Sequence, residues 1–542
     1  MQVEYQSNRL RVLGAVLGLL LICAGCAPAQ PGATGEAQPA MPVAQPAGMR
    51  PLSGQLTIAV QGALPVEGAP ETAAQVAWRA VLEKYKQYQP NVEVVIEDLP
   101  AGQTGEQWCE AKKVAQQMPD VTYVGECNYF RPSPEEIAQG LNIAVDFKEF
   151  EEEINPYSGK PWKDDWFNDS VRLARCTERG AVDLWTCQTT GYSGAGIWVN
   201  WDILKEFGYD HTFPASYTEL WELSAQINES GKYVAWDGPP YASYWFAWIM
   251  YTNLTINRWL ELGGDLNDLQ GSVALLGKQP DYTLNWCNQN FWSSVNPDIQ
   301  EALHQWKRLI EAYPGGGAAY WDPARDQNGT LWLNGQAAMS YHGTWFYGAI
   351  LQAQNDATFL VEDFGVERFP NLQAADLINP AMEIAFNGEP FMWAGGFGDV
   401  FAPSPTVRAS GNDPNVDLLV RDWFQFMSAE GMGIVNLATG TIPLNPATVE
   451  QADPALKGWL TIKPDQFVGV SQPPGSYSNP IIYTEDTEKN IQAWSADQVD
   501  FQTATQKADE NATRSLVKKL EDSMADLGIN ELPADCLPFA SQ

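Results

Sequence analysis

Three histidines, His211, His304 and His342, are all that the 542 residues contain, and no Cys-x-x-Cys pair or Cys/His cluster accompanies them. A tetrahedral zinc site, which needs nitrogen and sulfur ligands at close spacing, is therefore unsupported. Basic residues are also scarce: 32 Lys and Arg stand against 67 Asp and Glu, for a formal net charge of −35. Nucleic acid and anionic membrane surfaces are bound through clustered Lys and Arg, so both are excluded as partners. The acidity itself suits solubility at a crowded surface. The apolar run Val12 to Ile22 is too short for a bilayer span, which takes about 20 residues. No internal repeat is evident, and no cofactor motif appears.

What the first residues do contain is an address. Arg9 and Arg11 precede the apolar run, which ends in Cys23-Ala24-Gly25-Cys26. Positive, apolar and small residues in that order form a secretory leader. Ala24-Gly25 directly before Cys26 resembles the lipobox of bacterial lipoproteins, with Cys23 where Leu is usual. The resemblance implies a signal peptide over 1–25 and lipidation at Cys26, which would anchor the chain outside the cytoplasm. From 26 to 53 the sequence is Pro, Ala, Gln and Gly with almost no large apolar side chain. It cannot bury enough surface to offset its ordering entropy, so it reads as a flexible tether.

About 490 residues follow, enough for two lobes. Six cysteines in an exported body suggest disulfides. Cys176 and Cys187 flank a turn at Arg179-Gly180, and Cys109 and Cys127 flank a helix and a strand whose ends can meet. The pairs Cys109 with Cys127 and Cys176 with Cys187 are expected, with Cys287 and Cys536 left for each other. Gly54 to Val60 reads as a buried strand, and Val76 to Tyr85 as a helix by apolar spacing of three and four. Pro90 stops that helix. Val92 to Ile96 reads as a second strand, 106–117 as a second helix and Val121 to Val124 as a third strand. Alternation at this pitch predicts an α/β fold with a mostly parallel sheet, whose ligand site lies beyond the carboxyl ends of the strands.

Several blocks along the chain share an order with a known family. Pro90-Asn91-Val92-Glu93-Val94 and Pro119-Asp120-Val121 come first. Gly196 to Leu204 follows, with Phe213-Pro214-Ala215-Ser216-Tyr217-Thr218-Glu219-Leu220. Next are Leu333-Asn334-Gly335-Gln336-Ala337-Ala338-Met339 with Gly343-Thr344-Trp345, and Gly395-Gly396-Phe397-Gly398. Trp423 to Glu430 and Gly440-Thr441-Ile442-Pro443 close the series. Together they resemble the family 1 extracellular solute-binding proteins of ABC transporters, of the maltose-binding, carbohydrate type, although Ser216-Tyr217 replaces the family's Thr-Trp.

The resemblance implies a two-lobed periplasmic-binding-protein-like fold. Lobe one would comprise 54–192 and 399–475, and lobe two 193–398 and 476–542. Gly191, Gly194 and Gly196 suit the first crossover between lobes, and Gly395, Gly396 and Gly398 the second, since hinges need backbone freedom. It also implies a monomeric receptor that captures a carbohydrate between its lobes and hands it to the permease subunits of an ABC importer, without turning it over.

The chain holds 22 Trp, 20 Tyr and 21 Phe. Aromatic faces suit the C–H faces of pyranose rings, but a long buried surface consumes aromatics too. Trp345 matches the tryptophan that stacks on the ligand in sugar-binding members. Glu126, Asn128 and Tyr129, after the third strand, and Gln61, after the first, stand at the pocket end of lobe one. Tyr241, Tyr244 and Trp393 complete the candidate set; the first two belong to the cluster Tyr241 to Trp245.

Two enzyme readings remain beside this one. Gly191-Tyr192-Ser193-Gly194-Ala195 approaches a nucleophile elbow, but Ala195 stands where the second Gly belongs. A surface glycoside hydrolase needs two carboxylates about 5 Å or about 6.5–9.5 Å apart, and 67 acidic residues leave room for such a pair. A binding protein for a polyamine, a peptide or an anion is a further alternative, the anion being disfavoured for want of a basic cluster.

Overall fold

The computed structural model describes residues 48–60, 63–64, 71–100, 105–123, 150–165, 188–189, 192–240, 292–322, 329–379, 393–397, 400–403, 409–411, 413–439, 467–469 and 485–511, with isolated residues between them. The leader, Cys26 and most of the expected tether lie outside the described residues. Among the described residues, no helix is long and apolar enough to cross a membrane.

In chain order the principal elements are β1 (Ser53–Val60), α1 (Ala73–Tyr88), β2 (Asn91–Glu97), α2 (Gly105–Val114), β3 (Val121–Tyr123), β4 (Gln188–Thr189) and β5 (Tyr192–Asn200). Then come α3 (Tyr217–Glu229), β6 (Val234–Asp237), α4 (Pro297–Ala312), β7 (Ala337–Gly343), α5 (Phe346–Asn355), β8 (Phe364–Glu367) and β9 (Trp393–Phe397). The last are β10 (Val400–Pro403), α6 (Pro414–Phe426), α7 (Met432–Thr439), β11 (Phe467–Gly469) and α8 (Glu485–Ser495).

The amino-terminal alternation folds as expected. β1 pairs in parallel with β2 and with β3, so α1 and α2 are crossovers. Helix α1 starts at a reciprocal cap: Thr72 Oγ1 accepts the Gln75 N–H and Gln75 Oε1 accepts the Thr72 N–H. Helix α2 ends at Val114, short of the expected 117. Gln116 takes a left-handed backbone with φ of 54°. The Gln117 N–H then reaches back to the Lys112 carbonyl at 2.8 Å, which closes the helix.

Two sheets result. The first has the order β2-β1-β3-β10-β4, and the second the order β11-β9-β5-β7-β6, with β8 also on β5. The chain passes from the first sheet to the second between Thr189 and Tyr192, and returns between Phe397 and Val400. β11 pairs with β9, so the chain has rejoined the second sheet by Phe467, ahead of the 475 boundary the resemblance implied. The glycines expected at the crossovers divide: Gly194 and Gly196 are paired inside β5, and Gly395 and Gly396 inside β9. Gly191 and Gly398 lie outside the described residues.

Among the described residues two large apolar cores follow, beside a small one of Ala59, Trp108, Cys109 and Met118. One gathers Leu56, Ile58, Val81, Tyr85, Leu419, Trp423, Phe426 and Val435, and extends to Phe346, Tyr347 and Ile350 of α5. The other surrounds β5, β6 and β7 with Ile197, Trp236, Met339, Tyr341, Trp306 and Phe369. Among the described residues seven tryptophans are fully buried, including Trp198, Trp236, Trp306, Trp332 and Trp423, so much of their aromatic content is core.

The first core contains a carboxylate. Asp422 of α6 accepts hydrogen bonds from the hydroxyls of Tyr85 at 2.8 Å and Tyr157 at 2.7 Å, and from Gln89 Nε2 at 3.3 Å. Gln89 also holds the chain ahead of β1, donating to the Arg50 carbonyl and accepting the Leu52 N–H. Burial raises the Asp422 carboxyl above its ordinary range, while the three donors oppose that shift. Asp422→Ala would strand the buried hydroxyls of Tyr85 and Tyr157, each costing about 1–3 kcal/mol when unpaired. We expect a loss of about 3 kcal/mol or more, read as a lowered urea midpoint; a change within 0.5 kcal/mol, the ordinary scale of a surface substitution at about that size, would refute the assignment.

Candidate functional site

β6 and β7 run parallel, so their carboxyl ends meet on one side of the second sheet. β7 ends at Gly343, and Trp345 follows as the residue that begins α5. Every residue of β7 is buried, yet Trp345 is 41% exposed. Among the described residues it is the one tryptophan that stands substantially in solvent.

Two contacts fix its indole. An added Cβ on Gly343 would run into Cη2, Cζ2 and Cζ3 of Trp345, so the six-membered ring packs on the bare backbone of Gly343 and the block needs glycine there. Trp245 then meets Trp345 edge to face, with centroids 5.4 Å apart and planes at 86°. Trp245 is half-buried, in helical backbone spanning 245–247. The two indoles form a floor and a perpendicular wall.

The ground beneath is dense. The His342 ring stacks on Phe346 at 4.5 Å and 16°, and Phe346 in turn meets Trp198 and Trp332 edge to face. Phe346, Tyr347 and Ile350 share the core of α1 and α7, so α5 is anchored along its buried side. The hydroxyls of Ser340, within β7, and of Thr344, just past its end, are buried with no hydrogen-bond partner. Asp237, at the end of β6, is occupied structurally: it accepts the N–H groups of Gly238 at 2.8 Å and Trp332 at 3.1 Å.

Of the residues expected at the site, Trp345 is placed at a strand's carboxyl end and open to solvent. Trp393 opens β9, in register with Phe467 of β11, and only its backbone is described. Gln61, Glu126, Asn128, Tyr129, Tyr241 and Tyr244 lie outside the described residues. Trp245, from the cluster that supplies Tyr241 and Tyr244, is outside the expected set; its spacing of four from Tyr241 is the signal that could find it. Nothing in the sequence marked His342 or the packing role of Gly343.

Other sequence features find ordinary places. Ser193 pairs with Gly396 inside β5, which is not the strand-to-helix turn that a nucleophile elbow requires. Cys109 is buried on α2 and disulfide-bonded, while Cys127, Cys176, Cys187, Cys287 and Cys536 lie outside the described residues. Among the described residues no group of three His, Cys, Asp or Glu is arranged to hold a metal.

No protein-family model and no curated protein matches this chain. Solved structures do. The cyclic alpha-maltosyl-1,6-maltose binding protein of Arthrobacter globiformis superposes with a TM-score of 0.52 at 16% identity, over 86% of this chain and 100% of the other. A chitin oligosaccharide binding protein gives 0.54 at 14%, over 86% and 99%. A family 1 extracellular solute-binding protein from Bifidobacterium longum subsp. infantis gives 0.50 at 16%, over 85% and 99%. Likeness at such identities establishes the fold: this chain has the two-lobed α/β fold of the extracellular solute-binding proteins, the architecture its sequence blocks resemble.

Burial pushes the His342 imidazole down to about 4. An unfolded histidine takes its proton near 6.5, so between those values the unfolded chain binds the extra proton and stability falls as pH drops. This contribution reaches roughly 3 kcal/mol at the acid end. His342→Asn lacks it, and its urea midpoint should fall less than that of the unmodified protein between pH 7 and pH 4.5. Equal losses in both proteins would show that His342 is not held neutral.

Proposed function

We propose that this protein is a lipid-anchored extracytoplasmic receptor that captures a carbohydrate in a cleft between two lobes and delivers it to an ABC importer. The observation that carries the reading is the exposed indole of Trp345, packed flat on Gly343 and walled by Trp245 at the carboxyl end of β7. A large aromatic side chain left in solvent above a dense aromatic core offers an apolar face to a ring with axial C–H groups. The fold supports the reading, since the similar structures include binding proteins for a cyclic maltosyl-maltose and for chitin oligosaccharide.

In this proposal lobe one takes 54–192 with 399 onward, and lobe two takes 193–398 with the carboxyl-terminal segment. Solute held by Trp345 from lobe two would gain contacts from Gln61, Glu126, Asn128 and Tyr129 on lobe one and from Tyr241, Tyr244 and Trp393. Contacts made only in the closed form shift the population toward it, and the closed form docks on the permease. The Pro/Ala-rich tether gives the body reach from a lipid on Cys26. Disulfides Cys109–Cys127, Cys176–Cys187 and Cys287–Cys536 would brace the exported body.

Removing a large aromatic anchor costs at least about 2 kcal/mol at a binding hot spot, or about thirtyfold in affinity. Trp345→Ala should weaken carbohydrate binding by that factor in calorimetry against mono- and oligosaccharides, with the urea midpoint nearly unchanged. Binding unaltered by the substitution would remove Trp345 from the site. Cleaved sugar after incubation would replace the receptor reading with a glycoside hydrolase.

The anchor is tested separately. Cys26→Ser should move the protein from the membrane fraction to the soluble exported fraction; retention in the membrane would overturn lipidation at Cys26.

A further inference from the structure

His342 is the residue before Gly343 in β7, and it is buried. Its Nδ1 accepts the Gly343 N–H at 2.9 Å. A neutral imidazole that accepts at one nitrogen carries its proton on the other, so the contact selects the Nε2–H tautomer. The same ring lies flat on Phe346 and stands edge-on to Trp345, with centroids 6.0 Å apart at 76°. Three features therefore converge on one peptide unit. Gly343 carries no Cβ, its N–H is held by the preceding imidazole, and the indole of Trp345 rests on it.

We infer that His342 is a positioning residue for Trp345: by accepting the Gly343 N–H it fixes the peptide on which the indole lies, so the stacking surface is set before any solute arrives. The inference rests on the reading of Trp345 as the solute's floor. Its physical content is pre-organisation. An indole already held in its binding rotamer does not lose that freedom on association, whereas a loosened one does. The acceptor is what matters, rather than the ring alone. Burial keeps the imidazole uncharged at neutral pH, so the acceptor nitrogen persists there.

Two substitutions separate acceptor from ring. His342→Asn places Oδ1 near the native Nδ1 and can accept the same N–H, while losing the ring. His342→Phe keeps a ring against Phe346 and offers no acceptor. Carbohydrate affinity is measured by calorimetry. The environment of Trp345 is followed without solute by fluorine NMR of protein labelled with 5-fluorotryptophan, its resonance assigned through Trp345→Phe.

The Asn variant should retain affinity and resonance, whereas the Phe variant should lose about three- to tenfold in affinity and shift or broaden the Trp345 signal. If the Phe variant does not accumulate, His342→Ala takes its place with the same expectation. An unmoved resonance and unchanged affinity in the variant without an acceptor would overturn the inference, as would an Asn variant impaired as strongly as Phe. A resonance that moves only without the acceptor, in a protein that binds no carbohydrate, would uphold the positioning role and refute the solute reading alone.

Discussion

Strand β5 is the constraint on which the rest of this architecture depends. It pairs with β7 along one edge, and with β8 and β9 along the other. β9 is also the strand from which the chain returns to the first sheet through β10, and β10 pairs with β3 and β4. One run of backbone hydrogen bonds therefore holds the second sheet together and aligns both passages between the sheets. The glycines of β5 and β9 lie opposite one another, Gly194 beside Gly395.

The position of β7 beside β5 in turn sets the candidate site. β7 is buried from end to end, and its last residue is a glycine on which an indole lies. Trp345 is exposed because the chain leaves the sheet at that point and starts α5, whose own apolar side is taken up by the core of α1 and α7. The exposed indole thus stands at the start of a helix whose Phe346, Tyr347, Ile350 and Ala353 are buried. Its contacts with Gly343, Trp245 and His342 are made without any ligand, which is what a pre-organised stacking surface requires.

Buried polar groups divide into those that serve the fold and those that stay unpaired. Asp422, Asp376, Glu301 and Asp509 each gather several donors from segments distant in sequence. They stitch loops to helices and leave no acceptor role for chemistry. The hydroxyls of Ser340, inside β7, and of Thr344, just past it, have no such partners.

Local information was sufficient for the amino-terminal elements. Apolar runs bounded by Pro90 and Pro119 specified β1, α1, β2, α2 and β3 within a few residues, because strand and helix periodicities are written in consecutive side chains. The left-handed turn at Gln116 was not legible, since no Gly or Asn announces it. The order of short blocks specified the fold, and Trp345 was named from the block that contains it. Its partners were settled only by tertiary structure. Trp245 lies a hundred residues earlier and reaches Trp345 because helix and strand end converge, while His342 becomes a neutral acceptor only through the burial that surrounds it. Periodicity says which side chains face inward, but packing alone decides which of many tryptophans is left with an open face.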